Sequence, residues 1–267
     1  LFISIHQDGR TLYPGSGFPN ESGGPNAQGK TVNIPLPPQT GEKGFLYALD
    51  ELVMPLLEEF GPEIVINSAG QDNHFNDPIT DMNFSARGYA ILNERLKPDI
   101  AVLEGGYAIE NALPYVNVGI IMAMAGMDTS FVKEPNYEKD YRPQSRDVTR
   151  HIEQLVEALK DLFLRGGLKK KPYDEGQILE RKRDIFYDTD GIQERQNEKI
   201  RCCSHCAGAF AISSTASTGQ HIMGVHIPME ACPACRKTGL GWFVAGRKGA
   251  FRQVYLQDRD RGLYDVA

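Results

Sequence analysis

The sequence predicts an α/β fold with a mainly parallel sheet and helices on both faces, followed by a small cysteine-containing module. Apolar runs alternate with helical patterns from residue 1 to about residue 127, in the order expected of parallel sheet units. All five cysteines lie between Cys202 and Cys235. We therefore predict three regions, which are an α/β domain at 1–127, a helical and charged linker at 128–200 and the cysteine module at 201–267.

The predicted elements follow one another in a regular order. Strands are expected at "LFISIH" and "TVNIPLP", and the helix "GEKGFLYALDELVMPLLEEFG" is stopped by Gly61 and Pro62. A strand, a helix, a strand and a helix are then expected at 63–68, 85–96, 99–103 and 109–125. An amphipathic helix at 147–164 must bury its apolar stripe against the α/β domain or a partner chain. The charged run that follows predicts a linker with one exposed helix.

The composition limits the possible classes of protein. With 267 residues, 41% of them hydrophobic, the chain is an ordinary globular protein, and its net charge of −6 argues against a surface that binds nucleic acid or anionic membrane throughout. No apolar run approaches the roughly 18 residues that a membrane span requires. Clustered cysteines favour a reducing compartment, so we predict a cytoplasmic location. The chain starts at Leu1 without a leader pattern, and we expect it to be part of a longer protein.

The stretch "IVINSAGQDNHFNDP" contains the first candidate site residue. A β-branched run ends at once in small residues and then Asp72, as in a buried strand whose carboxyl end opens into a loop. Ligands of α/β sheets bind at that edge. Asp72 is therefore a candidate site residue, and the alternative is that it turns the chain or caps a helix.

The cysteines form two C-x2-C pairs separated by a segment long enough for a hairpin. Cys203 and Cys206 form the first pair, and Cys232 and Cys235 form the second. Four thiolates in this spacing surround Zn²⁺ tetrahedrally, so we predict a structural zinc site in a zinc ribbon. Cys202 is out of register for this site. His205 and His221 are possible substitute ligands, but four cysteines leave no vacancy.

Two interpretations of the zinc ribbon remain open. Basic and aromatic residues lie close together in it, which favours a nucleic-acid-binding face. Alternatively, the ribbon docks on its own enzyme domain or on a partner, because aromatic residues in a small module usually form its core. These residues are Arg236, Lys237, Arg247, Lys248, Arg252, Trp242, Phe243 and Phe251.

A second strand ends in a similar way at "IAVLEGGYAIENAL". Paired glycines, Gly105 and Gly106, allow close approach of a backbone or ligand, and Tyr107 follows them. If this strand neighbours the strand before Asp72, then Asp72 and Tyr107 emerge at the same edge of the sheet. A carboxylate metal ligand and a phenol there could bind Zn²⁺ and donate to an oxyanion.

Five motifs in order resemble the histone deacetylase superfamily, which includes acetoin-utilisation proteins and acetylpolyamine amidohydrolases. They are "ISIHQ", "YPGSG", "NIPLP", "SAGQDNHFNDP" and "LEGGY", and they span about residues 1–127. The resemblance implies an arginase/deacetylase-like fold and a zinc-dependent amidohydrolase that removes an acetyl or similar acyl group from an acylated amine substrate.

The resemblance also implies roles for individual residues. Asp72 would be a ligand of the catalytic Zn²⁺, and Tyr107 would stabilise the oxyanion. Tyr13 would form a wall of the substrate tunnel, and Pro78, Gly105 and Gly106 would shape its floor and rim. Ser4 and the carbonyl of Ile5 match positions that hold K⁺. His6 has no catalytic role in this scheme and is expected to be a satisfied core histidine.

The sequence also departs from the family pattern. In the family, an Asp-x-His pair supplies the other two zinc ligands and a His-His pair supplies the general base, and both pairs lie upstream of "LFISIHQ". No histidine of these 267 residues stands in either of those motifs. We therefore predict that an N-terminal deacetylase segment or a second chain supplies them. The rival hypothesis is a catalytically incomplete scaffold that binds a protein or nucleic acid through the ribbon. Gln71 replaces a commoner Phe, and Asn73 and His74 are more polar than usual, which affects the expected substrate.

Overall fold

The computed structural model describes residues 1–169 and 171–267, which form two compact units. The first unit contains residues 1–12, 16–22 and 29–169, and the second contains residues 13–15, 23–28 and the C-terminal part of the chain from 171 onward. The first unit therefore extends further along the chain than the predicted α/β domain.

The first unit contains the predicted alternation of strands and helices. Its elements are β1 (Phe2–Gln7), β2 (Thr31–Leu36), α1 (Glu42–Ala48), α2 (Met54–Phe60), β3 (Ile66–Ala69), α3 (Ala86–Leu96), β4 (Ile100–Leu103), α4 (Leu113–Met124), α5 (Tyr137–Asp140) and α6 (Arg146–Phe163). A π-helical turn at Leu49–Val53 joins α1 to α2. It ends just before Pro55, which has no N–H for the regular helical hydrogen bond. Gly61 ends α2 in the left-handed conformation.

The strands of the first unit form two separate parallel pairs. β1 pairs with β2, and β3 pairs with β4. β2 is almost fully buried, whereas Ile66 in β3 and Leu103 in β4 are 61% and 69% exposed. Helices were predicted on both faces of the sheet, and within this unit β2 is more completely buried than β3 and β4. Parallel strands with such apolar sequences are normally covered on both faces.

The helix α6 packs against α1 and β2 of the first unit. Its residues Ile152, Val156 and Leu159 are buried in the core that also contains Leu49 and Leu52. The stripe predicted from the sequence thus lies against the α/β domain, which was one of its two predicted partners.

The second unit contains a six-stranded sheet and the α-helix α7. Its elements are β5 (Ile178–Tyr187), β6 (Ile192–Arg201), β7 (Ala209–Ala216), β8 (His221–Ile227), α7 (Pro233–Arg247), β9 (Gln253–Asp258) and β10 (Leu263–Val266), with strand order β10-β9-β8-β7-β6-β5. Among these described strands, β8 and β9 are parallel neighbours and the other neighbouring pairs are antiparallel. The helix packs on β7, β8 and β9, and its Phe243 is buried in their core, to which Trp242 and Phe251 add.

The predicted linker is wrong over residues 178–200, because β5 and β6 form a hairpin there. The pair Asp190-Gly191 lies in its turn, and Gly191 has φ +63°. Charged residues face each other across the two strands, for example Arg181 with Glu198 at 2.6 Å and Arg195 with Asp184 at 3.0 Å. Opposite charges in cross-strand positions stabilise such a hairpin without apolar alternation.

The ribbon also differs in one element from its predicted strands. "AFAISST", "HIMGVHIP" and "FRQVYLQ" coincide with β7, β8 and β9, whereas "GWFVAG" lies in α7. The second cysteine pair therefore lies at the start of a helix. Within residues 1–169 and 171–267, no helix is both long and apolar enough to cross a membrane.

Candidate active site and metal centre

The loops that follow β3 and β4 meet at one edge of this strand pair. The two strands are in register with Ala69 opposite Leu103, and the N–H of Gln71 donates to the carbonyl of Gly105 at 2.6 Å. This bond continues the pairing two residues beyond β3. The carboxyl ends of neighbouring parallel strands thus bring the two predicted site loops together.

The Asp72 carboxylate lies directly against Gly105. A Cβ at Gly105 would be 2.6 Å from Oδ2 of Asp72, so only glycine leaves room for this carboxylate. Burial raises the pKa of Asp72, and the charge of Asp77 raises it further. Among the described residues, no other side chain donates a hydrogen bond to the Asp72 carboxylate. It is therefore a partly buried carboxylate with room for a cation or proton.

Asp77 holds the backbone that carries Tyr107. Its Oδ2 accepts from the N–H of Tyr107 at 2.7 Å, and its Oδ1 accepts from the N–H of Ile79 at 2.9 Å. Asp77 is buried, whereas Tyr107 is 54% exposed. The sequence analysis missed this role, although Asp77 belongs to the Asp-Pro pair of the same motif. Asp77 joins the Asp72 loop to the Tyr107 loop.

Gln71 and Gly106 form a second contact between the Asp72 loop and the Tyr107 loop. Gly106 has φ +146°, and a Cβ there would be 2.9 Å from Cβ of Gln71, so the conformation and the space both favour glycine. The Nε2 of Gln71 donates to Oδ1 of Asn117 in α4 at 2.6 Å. Gln71 is almost fully buried, so its polar side chain ties the loop to α4.

A buried histidine and a buried glutamate also stabilise the loop that carries Asp72. Nε2 of His74 lies 3.1 Å from Oε1 of Glu134, and neither side chain is exposed. Since Nδ1 of His74 accepts from the N–H of Asn76 at 3.1 Å, the ring proton is on Nε2 and is donated to Glu134. The same Oε1 accepts from the N–H of Ala86 at 3.3 Å, at the start of α3. His74 is thus a structural residue of this loop.

The Asp72 carboxylate alone does not form a zinc site. A catalytic zinc ion takes three protein ligands, and among the described residues Asp72 belongs to no group of three or more histidine, cysteine or carboxylate side chains that could hold a metal ion.

Ser4, Ile5 and His6 lie on β1, where His6 is a satisfied residue. Its Nε2 donates to the carbonyl of Gly17 at 3.1 Å, so its Nδ1 accepts from the hydroxyl of Ser4 at 2.9 Å. Burial lowers the pKa of His6. The lone pairs of the Ser4 hydroxyl remain available for a cation, and the K⁺ site at Ser4 and Ile5 stays a prediction.

Two predicted tunnel residues lie apart in the chain. Pro78 is exposed beside Asp77 in the first unit. Tyr13 belongs to the second unit, where its ring centroid lies 5.3 Å from that of Tyr187. Their roles in substrate binding stay predictions.

The four predicted cysteine ligands come together in the second unit. The sulfur atoms of Cys203, Cys206, Cys232 and Cys235 all lie within 4.8 Å of one another. The sulfur of Cys203 lies 3.7 Å from that of Cys232 and 3.6 Å from that of Cys206. Thiolates about 2.3 Å from a tetrahedral zinc ion have sulfur separations of about 3.8 Å, so this group fits zinc. Cys202 lies outside the group.

Several N–H donors lie close to the cysteine sulfur atoms. The N–H of His205 donates to Cys203 and that of Gly208 to Cys206, both at 3.4 Å. The N–H of Cys235 lowers the pKa of the Cys232 thiol to about 7. Nη1 of Arg201 lies 3.0 Å from the sulfur of Cys235. Donors around sulfur ligands are the usual support of a metal site.

A neighbouring loop supports the first cysteine pair from outside. The side-chain amide of Asn26 donates to the carbonyl of Cys206 at 2.8 Å and also to that of Cys203. Glu175 accepts from the N–H of Ser204 at 2.7 Å. The sequence carried no signal for these contacts, because the partners are far apart along the chain.

Comparison with known proteins agrees with the geometry of the first unit. Residues 1–118 match the family model of the histone deacetylase domain. The chain is 50% identical over 157 residues to a protein of Archaeoglobus fulgidus named probable deacetylase, a match that covers 55% of this chain and 43% of that protein. This part of the chain is thus similar to proteins of the histone deacetylase superfamily. The family model ends before the cysteines.

Further members of the histone deacetylase superfamily match over similar lengths. Histone deacetylase 10, chloroplastic, of Oryza sativa subsp. japonica is 30% identical over 174 residues, which cover 61% of this chain and 37% of that protein. The crystal structure of the HDA15 HD domain has a TM-score of 0.51 and 25% identity, and the match covers 62% of this chain and 44% of that one. The chain thus spans less than half the length of these relatives.

Proposed function

We propose that this chain is part of a zinc-dependent amidohydrolase that removes an acetyl or similar acyl group from an amine. The observation that carries the proposal is the meeting of the Asp72 and Tyr107 loops at one strand edge, within the segment that matches the histone deacetylase domain. An acyl-lysine and a small acylated amine are both compatible substrates.

The residues of this chain would bind and position groups around the reacting carbonyl. Asp72 would supply one ligand of the catalytic zinc ion, and the ion would supply Lewis-acid chemistry. The Tyr107 hydroxyl would donate a hydrogen bond to the oxyanion that develops on the substrate. Asp77 fixes the backbone of Tyr107, and Gly105 leaves space for the Asp72 carboxylate.

The proposal includes a completing segment, either N-terminal or on a second chain, that supplies the histidine pair and the Asp-x-His ligands. Two observations support it. Among the described residues, Asp72 belongs to no group of three or more side chains that could hold a metal ion. Ile66, Ile100 and Leu103 of the strand pair and Ile121 of α4 are exposed, which is unusual for parallel sheet strands and their helices.

The cysteine centre is proposed to hold a structural zinc ion. The zinc ion would stabilise the segments next to β6, β7 and α7, where the hydrophobic cluster is small. K⁺ at Ser4 and Ile5, and a cytoplasmic location consistent with five free cysteines, complete the proposal.

The first test is the substitution Tyr107→Phe in the full-length protein with its completing segment. Hydrolysis of an acetyl-lysine peptide should fall by about a hundredfold or more if the hydroxyl stabilises the oxyanion. Tyr47→Phe on α1 is a matched control and should leave turnover unchanged. Equal activity of the Tyr107→Phe variant and the native protein would remove Tyr107 from the mechanism.

Metal analysis separates the enzyme from a scaffold. About two zinc ions per chain, one lost in Asp72→Asn and the other in Cys203→Ser, would support a catalytic and a structural site. About one zinc ion, unaffected by Asp72→Asn and accompanied by no hydrolysis, would favour the catalytically incomplete scaffold instead.

A further inference from the structure

The sheet of the second unit has one covered face and one open face. Val225 and Leu256 lie on the face buried under α7. Residues alternate between the faces of a strand, so their neighbours Gly224, His226 and Tyr255 lie on the opposite face. Tyr255 is 39% exposed there. This open face is not used in the proposed deacetylase reaction.

Aromatic and polar side chains form one row across the open face. The strand register places Phe210 opposite His226, His226 opposite Gln257, and Gln257 opposite Tyr264. The rings of Phe210 and His226 are 4.8 Å apart at an angle of 32°. The row therefore spans four strands and contains three rings, on β7, β8 and β10.

A second row beside the first contains a gap. Ile212, Gly224, Tyr255 and Val266 lie opposite one another on the same four strands. A Cβ added at Gly224 would have no atom within 4 Å. A hollow of about 310 Å³ lies at this gap and is lined by residues of both rows. This volume lies at the lower end of the range of small-molecule sites, about 300–1,000 Å³.

Hydrogen bonds along the first row leave one acceptor and one donor available. Nδ1 of His226 lies 2.5 Å from Oε1 of Gln257, which can only accept, so Nδ1 carries the proton and Nε2 is an acceptor. The amide nitrogen of Gln257 donates to the hydroxyl oxygen of Tyr264, whose own hydrogen remains a donor. Neither Nε2 of His226 nor the Tyr264 hydrogen has a partner among the described residues. Gln257 thus fixes both groups at the rim of the hollow.

The hollow's face carries no formal charge. Its two rows contain no Lys, Arg, Asp or Glu, and the one carboxylate of the lining, Asp265, alternates to the other face of β10. An uncharged ring system with both a donor and an acceptor on its edge matches this surface, because aromatic walls stack on π-faces of any base. An acyl chain would leave both polar groups unused, and an anion would use the Tyr264 donor but not the His226 acceptor.

We propose that the hollow over Gly224 binds a nucleobase, stacked between Tyr255, Tyr264 and His226. The base can come from a free nucleoside or from a single-stranded nucleic acid. This site is independent of the deacetylase reaction, so neither proposal depends on the other.

The test uses the full chain with two probes, adenosine and a six-nucleotide deoxyadenosine strand. Binding of each probe is measured by calorimetry and by the chemical-shift changes of the histidine and tyrosine rings. Adenosine is expected to bind with a dissociation constant on the order of 1 mM or tighter. Gly224→Val places a β-branched side chain in the hollow, at a position where a Cβ meets no atom within 4 Å, and should weaken binding at least about tenfold. Tyr264→Phe removes the donor and should weaken binding while the fold is retained.

Phe186→Ala serves as the matched control, because Phe186 is an exposed aromatic residue of β5 outside the hollow. It should leave binding unchanged. Salt-independent adenosine binding assigns the site to free nucleosides, and tighter, steeply salt-dependent binding of the strand assigns it to nucleic acid. Failure of both probes to bind, or equal binding by Gly224→Val and the native chain, would overturn the proposal.

Discussion

Removal of the Glu134 carboxylate should destabilise the loop that carries Asp72. In Glu134→Ala, Nε2–H of His74 and the N–H of Ala86 both lose their acceptor in a fully buried place. Each buried donor left without a partner costs about 1–3 kcal/mol, so two such donors cost about 2–6 kcal/mol. We therefore expect a loss of about 3 kcal/mol of local stability.

Hydrogen exchange measured by mass spectrometry tests this prediction within one unit. A loss of about 3 kcal/mol should speed exchange of the amides in α3 roughly 150-fold, while β8 in the second unit should exchange at the native rate. Glu134→Gln is the matched control, because its amide oxygen still accepts both hydrogen bonds, and its effect should be smaller. Exchange in Glu134→Ala within threefold of the native rate would refute the reasoning, as would a larger effect of Gln than of Ala.

Three further predictions concern the other sites. Burial lowers the folded-state pKa of His6 below its usual 6.5, so the unfolded state takes up a proton first as the pH falls below 6.5, and the stability of the first unit should decrease there. In His6→Gln, thermal unfolding measured between pH 7.5 and 5.5 should show a smaller decrease in stability. An unchanged slope would contradict this prediction. Gly105→Ala places a methyl group 2.6 Å from Oδ2 of Asp72 and should lower acyl-amine hydrolysis by about a hundredfold, whereas Gly241→Ala, which meets no atom within 4 Å, should not. Cys235→Ser should remove one metal ion per chain and increase protease sensitivity of the second unit alone, and retention of that ion would exclude the four-cysteine site.

The local patterns of the first unit were sufficient to predict its elements. β1, β2, α3 and β4 lie within one or two residues of the predicted segments, because strand and helix periodicities and helix stops such as Gly61 act over short distances. The hairpin of β5 and β6 was missed, since cross-strand ion pairs stabilise its charged strands and apolar periodicity does not reveal such pairs.

For the candidate sites, too, local motifs predicted some residues, whereas contacts between distant parts of the chain revealed others. The motifs named Asp72, Tyr107 and the four cysteines as chemically active residues, and the spacing of the cysteines was enough to predict a metal centre. The roles of Asp77 in holding Tyr107 and of Glu134 in holding His74 depend on contacts 30 and 60 residues apart along the chain.

The sequence by itself determined the order of elements in the first unit, the positions of the candidate residues and the resemblance of residues 1–118 to the histone deacetylase domain, because each of these depends on residue type and local spacing. Only the tertiary structure decided that Gly105 makes room for Asp72, that charged residues 178–201 form a hairpin, and that a hollow lies at Gly224 among aromatic side chains. These features depend on which strands become neighbours and in which register, and that pairing is set by the packing of the whole unit.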